Sequence, residues 1–66
     1  MELTINGEQR EFHEGLSVSG LVERLTMIPG RIAIQLNHEI LPREEWPRTI
    51  LNTGDRLEIV HFVGGG

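Results

Sequence analysis

The residues best placed to do chemistry come last. Val63-Gly64-Gly65-Gly66 closes the sequence, and no bulky or charged residue follows. An α-carboxylate on Gly66 ionises near pH ~3.5, so at neutral pH it is an anion and a poor electrophile. Given a leaving group, it becomes an acyl donor. Glycine carries no Cβ, so Gly64 and Gly65 can be threaded through a slot too narrow for any side chain. A frayed chain end is the competing reading of the same residues. Against it stands the preceding stretch, Arg56-Leu57-Glu58-Ile59-Val60-His61-Phe62, which is β-branched, aromatic and strand-like. It runs into the glycines without a linker, as a rigid strand aiming a slim terminus outward would. Residues 1–63 are therefore expected to form the folded domain, and 64–66 a flexible tail.

Other candidates are weaker. The chain has no cysteine, so it offers no thiolate nucleophile, disulfide framework or cysteine metal site. His13, His38 and His61 are far apart and lack the spacing of a metal motif. His38 with Glu39 reads as a solvated turn pair, and His61 as a partly covered strand histidine. Glu44-Glu45 are consecutive and would diverge on a helical turn. The terminal glycines do not lead from a strand into a helix, so they are no phosphate loop. The chain is expected to have no active site, metal site or bound cofactor of its own.

Sixty-six residues suffice for one small domain with a modest core. The formal net charge of −4 disfavours nucleic acid, whose phosphates demand a basic surface. No apolar run is long enough to cross a bilayer. The first residues, Met1-Glu2-Leu3-Thr4, lack the basic and apolar regions of a signal peptide. A cytoplasmic protein, monomeric by itself, is expected. Lysine is absent and all six basic residues are arginine. Genome composition explains this as readily as chemistry does. The chemical reading is that a chain without Cys or Lys has only its Met1 α-amino group to attack its own activated carboxylate, which limits self-acylation.

The elements that would position the terminus follow from pattern. Residues 1–6 alternate apolar and polar, Asn6-Gly7 is a strong hairpin signal, and residues 9–13 form a second strand with Phe12 on the core. Ser17 is a helix N-cap with a Leu16–Leu21 staple. Val18, Leu21, Val22 and Leu25 mark one helical face, and Pro29-Gly30 ends the helix. Residues 31–37 form a third strand, with Ile32, Ile34 and Leu36 on one face and Ala33 on the other. Pro42 to Pro47 reads as an extended entry into one helical turn that lays Trp46 on the core. Residues 49–51 read as a short edge strand, residues 52–55 as a turn, and residues 56–62 as the last strand. This order, ββαββ, predicts an α+β fold: a mixed sheet, one helix across one face, and first and last strands parallel in the middle. That is the ubiquitin-like β-grasp plan. With one helix available, Val60 and Phe62 should lie on the uncovered face near Ala33, as partner-contact residues.

Asn37, the stretch Ile40-Leu41-Pro42-Arg43-x-x-Trp46, Gly54-Asp55 and the ending Ile59 to Gly66 resemble the ThiS family, small sulfur carriers of thiamine biosynthesis. The likeness spans essentially the whole chain; Gly64 is one glycine more than the minimal terminal pair. The resemblance implies that an E1-like enzyme, ThiF, adenylates Gly66 with ATP and Mg²⁺. A cysteine-derived persulfide then displaces AMP to leave a C-terminal thiocarboxylate. Thiazole synthase, ThiG, takes its sulfur from there. On this reading the chain is a protein co-substrate and not an enzyme. The small subunit of molybdopterin synthase shares the fold and tail chemistry. A ubiquitin-like interaction module whose tail is never activated is the alternative from another class.

Overall fold

The computed structural model describes residues 1–62. Five strands form one sheet: β1 (Glu2–Ile5), β2 (Glu8–Glu11), β3 (Ile32–Leu36), β4 (Glu39–Ile40) and β5 (Arg56–His61). Their spatial order is β2-β1-β5-β3-β4. β1 and β5 run parallel side by side, with Ile5 opposite Leu57, and all other pairs are antiparallel. One helix, α1 (Val18–Arg24), lies on one face, so the β-grasp plan holds.

The three central strands, β1, β5 and β3, turn alternate residues toward α1. Leu3 and Ile5 of β1, Ile32 and Ile34 of β3, and Leu57 and Ile59 of β5 are buried with Val18, Leu21 and Val22. Leu16, Trp46 and Leu51 close the core. Phe12 packs against it only partly buried, beyond the end of β2. Among the described residues no layer covers the opposite face.

Local chemistry accounts for α1. The Ser17 hydroxyl accepts from the Gly20 N–H at 3.0 Å, the bond expected of an N-cap. Leu16 and Leu21, the staple pair, are both buried. Gly20 weakens the helix by about 1 kcal/mol relative to Ala. A Cβ there would stand 2.8 Å from Leu16 Cδ1, so glycine lets the staple leucine fold over the first turn.

The helix ends earlier than the proline suggested. Thr26 takes the left-handed conformation (φ 53°), its N–H bonds Glu23 O, and the Met27 N–H bonds Val22 O. Those two bonds are a Schellman cap, with threonine where glycine is usual. Pro29–Arg31 is instead a separate 3-10 turn leading into β3.

A second correction concerns the fourth strand. Residues 49–51 do not join the sheet; Ile50 makes a single bridge to Ser17 and Leu51 turns into the core. The sheet's edge is β4, a two-residue strand reached through a turn at Asn37 and His38, both at positive φ. Between β4 and that bridge, the 3-10 helix Arg43–Arg48 carries Trp46 inward as expected. The Trp46 indole donates to Leu41 O at 3.0 Å. Arg43 donates to Pro29 O and Ile32 O and lies over the Trp46 ring, so its side chain is a structural clasp.

Candidate docking face at the end of β5

β5 sits between β1 and β3, and its last residues carry the sequence toward the glycines. Its entry is held firmly. The Asp55 carboxylate accepts from the Asn52 N–H and the Asn37 amide, and Asn37 Oδ1 accepts from the Arg56 N–H. Five residues of β3 then pair with β5, from Leu36 opposite Leu57 to Ile32 opposite His61. One more bond, Phe62 N–H to Arg31 O at 2.9 Å, extends the ladder past the strand.

Alternation along this fixed strand decides what it shows. Leu57 and Ile59 point to the core, so Glu58, Val60 and Phe62 point away. Val60 is 57% exposed and Phe62 58%. Ala33, half-buried, lies directly opposite Val60 in the register. The three residues expected on the uncovered face are therefore neighbours there.

Ile40, 75% exposed, joins the same face and was missed in the sequence. It pairs with Gln35, which pairs with Glu58, so all three share one side of the sheet. Its signal would have been the register of the β3–β4 hairpin, which the sequence leaves open because β4 is so short. Farther along this face the rows turn polar, through Gln9, Thr4 and Arg56, and end at Glu11 and Glu2. The face is apolar near the end of β5 and charged at its far end.

His61 departs from its expected role: it is exposed rather than partly covered. It follows the core-facing residues in parity but stands beyond the core, opposite Ile32 where β3 begins. His13, His38, Glu39 and Glu44 are exposed too, whereas Glu45 is half-buried. Among the described residues no group of three or more His, Cys, Asp or Glu comes together as a metal site. No helix among them is long and apolar enough to cross a membrane. Gly64, Gly65 and Gly66, the expected tail, lie outside the described residues, as does Val63.

The ThiS family model matches residues 3–66. The chain belongs to the ThiS family. Its similarity to the sulfur carrier protein ThiS of Escherichia coli is 29% identity over 66 residues, covering both chains completely. Similarity to a thiazole synthase of Paramagnetospirillum magneticum is higher, 41% over 66 residues, but the match spans 20% of that protein. A second thiazole synthase, from Magnetococcus marinus, is likewise matched over 20% of its length. Among solved structures, the thiamine biosynthesis protein ThiS of Geobacter metallireducens superposes with a TM-score of 0.86. That comparison has 35% identity and full coverage of both chains. The ThiS-like β-grasp domain thus has the element order that positions Val60 and Phe62 outward.

Proposed function

We propose that this chain is a sulfur carrier for thiazole formation in thiamine biosynthesis, acting in the cytoplasm. It is a substrate of partner enzymes and not itself a catalyst. The reactive group is the carboxylate of Gly66, with Gly64 and Gly65 as the part drawn into each partner. The observation that carries this reading is the ThiS family match through the terminal glycines of a chain with exposed Val60 and Phe62 at and just past the end of its last strand.

An E1-like adenylating enzyme would join the Gly66 carboxylate to AMP from Mg²⁺-ATP, releasing pyrophosphate. The terminal sulfur of a cysteine-derived persulfide then attacks the acyl carbon, and AMP departs with the carboxylate oxygen. A thiol cleaves the resulting acyl disulfide and leaves the thiocarboxylate. Two similar proteins named thiazole synthase support that enzyme as the acceptor of the sulfur.

Intact mass tests the proposal. With an adenylating enzyme of the ThiF type, Mg²⁺-ATP and a sulfur source, the chain should gain the difference between a sulfur and an oxygen atom. Deleting Gly66, or appending one residue to it, should abolish the gain. An undiminished yield from the appended chain would sink the reading.

A further inference from the structure

The edge of β5 that faces β1 is completed by a side chain and then left open. Backbone groups of alternate β5 residues face opposite neighbours. Arg56 O and the Phe62 N–H bond the β3 side, through Asn37 and Arg31. Leu57 and Ile59 face the other way, where Leu57 O accepts from the Asn6 N–H at 2.9 Å. At Asn6 the ladder changes character. The Asn6 side-chain amide donates through Nδ2 to Ile59 O at 3.2 Å, and its Oδ1 accepts from the Ile59 N–H at 2.7 Å. One primary amide thus pairs with both backbone groups of Ile59, which two separate peptide units of a longer β1 would otherwise bond.

Past that point no described residue continues the ladder. Asn6 (φ 49°) and Gly7 (φ 85°) turn the chain away into β2. His61 has the parity of Leu57 and Ile59, so its N–H and C=O point into the space beyond the hairpin turn. Neither has a hydrogen-bond partner among the described residues. The result is a notch one residue long at the level of the exposed Val60 and Phe62.

We propose that this notch receives an extended segment of the adenylating enzyme, which adds a short strand to β5 through the His61 N–H and C=O. The inference rests on the carrier reading above. It follows from reach: Gly66 is four positions beyond Phe62, so the carboxylate lies at most about 14 Å along the chain from Phe62. An enzyme holding that carboxylate therefore has surface within that distance of the notch. A strand is the element whose N–H and C=O spacing matches one residue's paired groups. Val60 and Phe62 beside the notch give that segment apolar surface to cover. Pairing there would fix the direction in which β5 delivers the tail.

The test separates backbone from side chain. His61→Pro removes the N–H on the notch side and leaves the Phe62–Arg31 bond intact. His61→Ala removes the imidazole and keeps both backbone groups. With a ThiF-type enzyme and Mg²⁺-ATP, the proline variant should show a KM for the carrier about tenfold above that of the alanine variant, with similar kcat. In wild type, amide hydrogen exchange at His61 should slow on addition of the enzyme. Equal KM for the two variants, with unchanged His61 exchange in the complex, overturns the notch and leaves the carrier reading standing. Slowed exchange at His61 without enzyme, rising with protein concentration, assigns the notch to a second copy of the chain and overturns it as well. A wild-type chain that is never adenylated sinks both.

Discussion

Trp46 shows how much one side chain can decide in a domain of this size. It is 3% exposed, and its indole N–H is satisfied by Leu41 O. Truncating a buried Trp costs about 3–5 kcal/mol, against about 5–15 kcal/mol for the whole stability of a typical domain. Trp46→Ala should therefore be largely unfolded near room temperature, which circular dichroism against urea would register. A midpoint equal to wild type would mean that the lid over the core contributes nothing. Arg43 stacks on the same ring and holds two carbonyls, so part of the Pro-Arg-x-x-Trp signature is a packing unit and not a contact for partners.

Two elements carry opposite lessons about exposure. In β5 the exposed residues stand out because the ladder to β3 allows no slip of register. Val60→Glu should leave the unfolding free energy within the scatter of ordinary surface substitutions, roughly ±0.5 kcal/mol, since the side chain is already in water. The same change should weaken binding to a ThiF-type enzyme by titration calorimetry, because it places a charge on the apolar end of the face. Unfolding of the variant would mean that Val60 is a core residue. In α1 the informative residue is Thr26 in the Schellman cap. A β-branched residue in the left-handed region is strained by roughly 1–2 kcal/mol, and glycine is not. Thr26→Gly should raise stability by up to about 1 kcal/mol once the entropy of a freer unfolded chain is subtracted. A fall in the urea midpoint would show that the Thr26 hydroxyl bond to Leu25 O outweighs the strain.

At the scale of the molecule, one face of the sheet builds the core and the other graduates from apolar to acidic, in a chain of net charge −4 without lysine or cysteine. If Gly66 becomes an acyl-adenylate, amines and thiolates are the side chains that would capture it, and arginine is not among them. We hypothesise that this composition limits acylation of one carrier by another. Arg43 would be a poor site for the test because its guanidinium is engaged. Arg56 is exposed, and only its backbone groups are bonded, both to Asn37. Arg56→Lys, activated with ATP while sulfur is withheld, should give cross-linked dimers by mass spectrometry. The same trace of adduct in wild type and variant would make the missing lysine compositional.

The sequence alone determined what depends on neighbours a few residues apart. Ser17, Leu16 and the spacing of Val18, Leu21 and Val22 start and orient α1, because capping and periodicity act within two turns. Alternation in residues 56–62 assigns Val60 and Phe62 to one side, since a strand has only two. Tertiary structure decided what depends on a distant partner. Glu39–Ile40 and residues 49–51 look alike as short apolar segments, and only pairing with β3 makes the first a strand. The early end of α1 at Thr26 is a strained local choice that the helical pattern, reaching Leu25, gives no sign of. Asn6 reads as a turn residue, yet its amide completes β5 at Ile59, 53 residues away. Which backbone groups of the last strand remain unpaired is set by where β1 turns back, and that is known only once the two strands lie side by side.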